Sequence, residues 1–147
     1  MILGSNTMFG SDFSYIFLDI EHQTADRLRI KIYPNTTRYE VPIKIEPSSP
    51  VPEDTKYQVT YSSDGTFSFK VIRKSNNQVI FDSSLGPLIV SEQYLQLAGN
   101  LPSDKIYGFG EQEQPSFRHD VNWRTWGMFA RDHAPEGDAN LYGAHPR

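Results

Sequence analysis

Apolar and polar residues alternate along much of the chain with the two-residue period of β-strands. In residues 27–33, which read RLRIKIY, leucine and two isoleucines would lie on one face and the basic side chains on the other. Residues 38–45 repeat the alternation, although Pro42 cannot donate to a strand ladder and favours an edge or a bulge. The pattern predicts strands in both segments.

Further short alternating segments are separated by turn residues. Ser62–Gly65 supplies turn chemistry between residues 56–61 and 66–72, so these two segments are predicted to form a hairpin. A second turn at residues 74–78 leads into a predicted strand at 79–82. The remaining predicted strands are residues 13–20, 88–90, 93–97 and 105–109. No amphipathic helix is predicted, and short strands between turns indicate an all-β fold, an antiparallel β-sandwich.

Two segments depart from the alternation. Residues 13–20 are nearly continuously apolar, as expected for a strand covered on both faces. Residues 46–54, which read EPSSPVPED, are rich in proline and serine and predict a solvated surface connection or a short linker. A length of 147 residues suits a single domain with a real core.

Composition narrows the possible functions. The net charge of −4 argues against a nucleic-acid-binding protein, which needs a basic face to displace phosphate counterions. Without cysteine there is no disulfide framework and no thiolate metal site. No apolar run approaches the roughly 20 residues that span a bilayer. The first residues also lack the basic and apolar regions of a secretory signal.

Candidate catalytic groups are sparse. Four histidines are scattered without metal-ligand spacing, so we expect hydrogen-bonded or surface histidines and no metal site. Gly108–Gly110 lacks the third glycine and the helix of a dinucleotide loop, and its glycines would instead permit a bulge or a close backbone approach at a strand end. Glu111, Glu113, Asp120 and Asp132 could supply the two carboxyls of a glycosidase. The chain has 18 acidic residues, so selecting two of them does not by itself indicate a catalytic pair. For Glu113 and Asp120 a solvated surface charge is favoured.

Both tryptophans lie in the aromatic segment NWRTWGMFARD, residues 122–132. We expect at least one of them in the core. Pyranose sugars, however, pack their C–H faces on indole rings and pair their hydroxyls with carboxylate and guanidinium groups. In an extended segment Trp126 and Asp132 would project from the same side, so Asp132 could accept from sugar hydroxyls while Arg131 donates or fixes the loop. An ordinary ion pair is the alternative, and the residues alone favour it.

One tripeptide is a candidate modification site. Asn35-Thr36-Thr37 matches the N-glycosylation sequon, which has meaning only for a chain that enters the secretory pathway. Such tripeptides arise often by chance, so Asn35 stays a candidate.

Longer strings carry a resemblance to a known family. They are RLRIKIY, RYEVP, VIRKSNNQVIFDSS, QYLQL, LPSDKIYGFGEQ, FRHD, NWRTWGMFARDHAP and NLYGAHP, between about residues 27 and 146. In this order they resemble the N-terminal β-sandwich of glycoside hydrolase family 31, in the branch of maltase-glucoamylase, sucrase-isomaltase and lysosomal α-glucosidase. LPSxxIYGFGE and WGMFxRD are long enough to be specific.

The resemblance implies that residues 1–147 are an N-terminal β-sandwich domain, incomplete at both ends, without the catalytic (β/α)₈ barrel. In such enzymes the sandwich extends a loop over the barrel, which implies that Asp132 contacts a glucosyl hydroxyl with Arg131 beside it. The two catalytic aspartates of the family belong to the barrel. Glu111 is therefore not a candidate nucleophile, and this chain alone is expected to be inactive.

The implied parent reaction is hydrolysis of terminal α-linked glucose from maltose-type oligosaccharides, with retention through a covalent intermediate. Its partners would be the α-glucoside and the parent's catalytic barrel, with no nucleic acid, no membrane span in this chain and no metal or organic cofactor. The parent is expected in the secretory pathway, whether lysosomal, extracellular or at the cell surface. The alternatives are a stand-alone carbohydrate-binding domain and a structural or interaction β-sandwich without catalysis.

Overall fold

The computed structural model describes residues 9–44 and 50–145, with the side chain of residue 145 left aside. These residues contain no α-helix, and hence no part of a (β/α)₈ barrel. Every strand pairing among them is antiparallel, which confirms the predicted all-β fold. In chain order the strands are β1 (Ile16–His22), β2 (Leu28–Pro34), β3 (Tyr57–Ser62), β4 (Ser68–Arg73), β5 (Gln78–Asp82), β6 (Ile89–Ser91), β7 (Tyr94–Gln96), β8 (Gly110–Gln112) and β9 (Asn140–His145), with one 3₁₀ turn at Ser83–Leu85.

The chain divides into two compact units. Unit 1 is Met1–Pro102, and its sheets are β1-β2, β3-β4-β5 and β6-β7. Unit 2 is Ser103–Arg147 and contains the pair β8-β9.

The β1-β2 hairpin separates apolar from charged side chains as the alternation predicted. Leu18 pairs with Ile32 and Ile20 pairs with Ile30, so one face is apolar. The other face carries opposite charges across the strands, where Arg29 Nη1 lies 2.9 Å from Glu21 Oε2. Ion pairs that stay accessible to solvent contribute little to stability, so the apolar face stabilises this hairpin more than the charges do.

The buried core of unit 1 lies in the central strand of the three-stranded sheet. Phe69, at 3% exposure, and Val71, at 6%, are buried apolar side chains of β4. The ring of Phe81 lies 5.3 Å from the ring of Phe69. The backbone N–H of Phe69 donates to Ser83 Oγ at 2.9 Å, so the 3₁₀ turn satisfies a buried donor of β4.

The β1-β2 and β3-β4-β5 sheets face each other inside unit 1. Leu28 and Ile30 of β2 line a cavity of about 390 Å³ together with Val71 and Phe81 of the other sheet. A second cavity, of about 310 Å³, is lined from both sides as well, for example by Leu18 and by Phe67 just before β4. This face-to-face arrangement agrees with the predicted sandwich, and the two cavities show that the layers are loosely filled.

The predicted turns of unit 1 are present. Gly65 joins β3 to β4 with φ +79°, a backbone conformation that residues with a side chain rarely adopt.

After β5, Asp82 accepts the backbone N–H of Ser84 at 2.9 Å and begins the 3₁₀ turn. Hydrogen bonds from Ser84 and the ammonium of Lys70 lower the pKa of Asp82 from 3.8 to about 2.

Three sequence predictions on strands were wrong. Residues 38–44 form no strand and are exposed throughout, because Pro42 offers no donor and no neighbouring strand accepts the segment. Residues 105–109 are irregular, and the strand begins only at Gly110. No side chain of β1 is buried and Phe17 is 47% exposed, because the two-stranded sheet that contains β1 has only one face packed on unit 1. Of the predicted linker, residues 46–49 lie outside the described residues.

Unit 2 is organised around the β8-β9 pair, which brings together residues far apart in sequence. Gly110 pairs with His145 and Gln112 with Asn140, and the register shifts between the two positions of β8. Gly108 approaches the strand with φ +84°. The prediction that these glycines permit a bulge at a strand end is confirmed.

Candidate functional site

The candidate site is the segment of residues 126–132, which runs beside β9 in unit 2. The side chain of Asn140, at the start of β9, makes two hydrogen bonds to the backbone of Phe129. Its Oδ1 accepts the N–H of Phe129 at 3.2 Å, and its Nδ2 donates to Phe129 O at 2.7 Å. One step on, the N–H of Arg131 donates to Leu141 O at 3.3 Å. The backbone of the segment is therefore hydrogen-bonded to two consecutive residues of β9.

The neighbouring strand β8 secures the beginning of the same segment. The Gln112 side-chain amide donates to the carbonyl oxygen of Gly127. Because β8 and β9 pair with each other, the two anchors belong to one small hydrogen-bonded layer. The sequence gives no local hint of this, since both amide side chains act on partners more than ten residues away.

Arg131 and Asp132 follow directly from the anchored backbone, and both side chains are exposed. Neither side chain has a hydrogen bond or an ion pair with any described residue. The ordinary ion pair that the residues alone favoured is therefore not formed. One guanidinium and one carboxylate therefore stand at consecutive exposed positions, each able to hydrogen-bond a polar ligand.

Trp126 is half-buried and held on three sides. The guanidinium carbon of Arg124 lies 4.6 Å from the centroid of its ring, and the ring of His119 meets it edge to face at 5.1 Å. The indole N–H also donates to Asp120 O at 3.3 Å. These contacts fix the ring, but Arg124 already occupies one face on which a sugar could stack.

Trp123 contrasts with Trp126. Its side chain is fully exposed, at 103% of the reference area, and its backbone has φ 55°. The expectation that at least one tryptophan lies in the core was wrong, since Trp126 is only half-buried. A turn just before Trp123, in which Asp120 accepts both the backbone and the side-chain N–H of Asn122, directs the chain outward. The Asp-Val-Asn sequence was the signal that could have indicated this.

Two glutamates near the segment, Glu111 and Glu113, accept hydrogen bonds from backbone N–H groups. Glu111 Oε2 accepts the N–H of Gly143 at 2.8 Å, and Glu113 Oε2 accepts the N–H of Gly137 at 2.9 Å. Glu113 is partly exposed, so it keeps some contact with solvent while it accepts this hydrogen bond. Both carboxylates hold β9 and the turn before it.

His119 is buried and structural. Its backbone N–H donates to Ile106 O at 2.9 Å, and its Nε2 pairs with the carbonyl oxygen of Gly108. Within the part of the chain that the structure describes, no three His, Asp or Glu side chains converge as metal ligands would. No helix among the described residues is long and apolar enough to cross a membrane.

Two cavities of unit 2 lie apart from the segment. One, of about 590 Å³, is lined by residues of 108–117 around β8. The other, of about 250 Å³, is lined by Asp104 and by residues of 116–122. Neither is lined by Trp126, Arg131 or Asp132. Arg131 and Asp132 are exposed, while Trp126 is half-buried.

Asn35, the candidate modification site, lies in unit 1. It follows Pro34, the last residue of β2, and begins a bend. The side chains of Asn35, Thr36 and Thr37 are all exposed.

Comparison with curated proteins gives consistent relatives along nearly the whole chain. Intestinal sucrase-isomaltase of Oryctolagus cuniculus is 50% identical over 141 residues, which are 93% of this chain and 8% of that protein. Probable maltase-glucoamylase 2 of Homo sapiens is 42% identical over 90% of this chain, and lysosomal alpha-glucosidase of Bos taurus is 36% identical over 95%. The chain is homologous to a section of α-glucosidases. The resemblance seen in the sequence is thereby confirmed.

The homology covers a small part of each relative. The chain spans 8% of the rabbit protein, 5% of the human one and 15% of the bovine one. The relatives are named as intestinal and lysosomal proteins. No protein-family model matches the chain.

Proposed function

We propose that this chain is an N-terminal domain of an α-glucosidase and that it contributes the 126–132 segment to the sugar-binding site. The bond-breaking carboxylates would belong to a separate catalytic barrel. The substrate would be the terminal α-linked glucose of a maltose-type oligosaccharide. Homology to α-glucosidases along most of the chain supports the parentage.

The observation that carries the sugar contact is the unpaired Arg131–Asp132 step on an anchored backbone. The carboxylate of Asp132 accepts from sugar hydroxyls, and the guanidinium of Arg131 donates to hydroxyl or ring oxygens. Neither charge has a partner among the described residues, so binding breaks no ion pair within that part of the chain. The hydrogen bonds of Asn140 and Leu141 limit the entropy lost when the ligand orders this backbone.

The sharpest test is a chimera, because the open segment alone has too little surface to bind sugar better than millimolar. The chain replaces its homologous section in the rabbit sucrase-isomaltase, and hydrolysis of isomaltose and maltose is measured. Hydrogen bonds to a charged group contribute about 1.5–3 kcal/mol, so Asp132→Asn should lower kcat/KM about ten- to a hundred-fold.

Asp64→Asn is the matched control for the chimera, because Asp64 is an exposed aspartate in the β3-β4 turn of unit 1. It should leave kcat/KM unchanged. An active chimera in which Asp132→Asn behaves like Asp64→Asn would refute the sugar contact. The 147-residue chain by itself should not hydrolyse an aryl α-glucoside.

A structural or interaction role is the second candidate, and the exposed apolar surface of unit 2 favours it. Eight large apolar side chains are exposed among the described residues of unit 2, and apolar surface left uncovered is typical of a site that packs against a partner. They are Tyr107, Phe109, Phe117, Val121, Trp123, Met128, Phe129 and Tyr142. In this role they pack against the catalytic domain. Without that domain, the chain should self-associate as concentration rises in analytical ultracentrifugation. A Phe117→Ser/Trp123→Ser variant should self-associate less.

A further inference from the structure

We infer that Asn35 is an acceptor site for an N-linked glycan. The inference is independent of the proposed sugar contact, because Asn35 lies in unit 1 and takes no part in the 126–132 segment. It requires only that the chain enters the secretory pathway, in which the lysosomal relatives are made.

The sequon stands alone in this sequence. None of the other asparagines is followed, two positions later, by serine or threonine. The residue after Asn35 is Thr36 and not the proline that would block recognition. The chain therefore offers one acceptor position, and a single occupied site can be read without ambiguity.

The surroundings of Asn35 differ from those of three other asparagines in the chain. Asn76 accepts the N–H of Gln78 at 3.1 Å, Asn122 donates to Asp120 at 2.8 Å, and Asn140 donates to Phe129 O at 2.7 Å. Asparagines near turns and strand ends commonly serve such local bonds. The Asn35 side chain has no partner among the described residues, so no local structural role competes for its amide.

The folded chain leaves room for a glycan at this position. Pro34 is buried and ends β2, while every residue from 35 to 44 is exposed. A bulky, hydrated oligosaccharide at Asn35 therefore extends into solvent and displaces no packed side chain. This matters because the glycan is attached before folding is complete, and a buried acceptor would oppose folding.

The transfer step is a substitution at the anomeric carbon of a lipid-linked oligosaccharide diphosphate. The side-chain nitrogen of Asn35 forms a bond to that carbon and loses one proton. The bond from the carbon to the diphosphate oxygen breaks, and the lipid diphosphate leaves with the electron pair. No oxidant or reductant is consumed.

The test expresses the full 147-residue chain behind a cleavable secretion signal in animal cells. We expect one discrete increase in mass that peptide N-glycosidase removes, leaving aspartate at position 35 in the peptide mass spectrum. Asn35→Gln and Thr37→Ala should each abolish the increase. Thr37→Ser should keep it, because the sequon is preserved, and so should Asn77→Gln, which changes another exposed asparagine.

Two results would overturn the inference. One is a translocated chain, shown by protection from added protease in microsomes, that carries no glycan. The other is a mass increase that persists in Thr37→Ala. The exposure of Asn35 in the folded chain can be tested separately by urea denaturation. Because the glycan extends into solvent, glycosylated and enzymatically deglycosylated chains should have the same urea midpoint within error. A lower midpoint with the glycan would show that the site is not freely exposed.

Discussion

Val71 and Val79 allow a direct test of where unit 1 has its core. Both are valines of the same three-stranded sheet, but Val71 in β4 is 6% exposed and Val79 in β5 is 37% exposed. Replacing each by alanine removes the same atoms and differs mainly in burial. The pair therefore separates the effect of burial from the effect of β-propensity, which is common to both changes.

The expected magnitudes follow from the burial. Val71→Ala removes two methyl groups that are almost fully buried, at about 0.8 kcal/mol each, and leaves a small cavity beside Phe69. A loss of about 2 kcal/mol in the free energy of unfolding is expected. Val79→Ala should cost about 0.5 kcal/mol, the usual size at a surface position.

The assay is urea denaturation followed by far-UV circular dichroism, with the m-value checked for each variant. Tryptophan fluorescence is unsuitable for unit 1, since both tryptophans lie in unit 2. Equal losses for the two variants would refute the packing of unit 1 around Phe69 and Val71. So would a larger loss for Val79→Ala.

Three further outcomes are expected. Ser83→Ala removes the acceptor of a buried backbone N–H and should lower the free energy of unfolding by about 1–3 kcal/mol in the same denaturation assay. Hydrogen bonds from Ser84 lower the pKa of Asp82 from 3.8 to about 2, so the carboxylate stabilises the fold above that range and the contribution is lost as pH falls through it. Asp82→Asn should therefore flatten the fall of the urea midpoint over this acidic range. Arg124→Met should increase acrylamide quenching of tryptophan fluorescence, because the guanidinium no longer covers the Trp126 ring.

The strands of unit 1 were predictable because their signals are local. Residues 28–34 alternate over a full strand length, and the turns at 62–65 and 74–78 adjoin the strands that they connect. The same reasoning failed at residues 38–44, where alternation is present but no partner strand is available. Alternation predicts which face of a strand would be apolar, and pairing decides whether the strand exists.

Unit 2 was less predictable because its structure depends on distant pairs. The strand at 140–145 contains a glycine and little alternation, and it pairs with β8 across an intervening stretch of residues 113–139. The residue pattern placed Asp132 beside an aromatic segment but favoured an ordinary ion pair with Arg131, and only the resemblance favoured a sugar contact. The freedom of Asp132 from an ion pair depends on where Arg131 lies in the fold, which a one-dimensional pattern does not contain.

The β8-β9 pair has a consequence for how this surface can evolve and fold. The two paired strands hold together the ends of the long loop formed by residues 113–139. The aromatic segment and the Arg-Asp step both lie within that loop. Substitutions within the loop can change its exposed side chains while the closure stays intact, as in other loops carried on rigid frames. Loosening the closure would instead release the aromatic segment and the Arg-Asp step together. Because such long-range pairing forms slowly, these side chains should reach their final positions late in refolding.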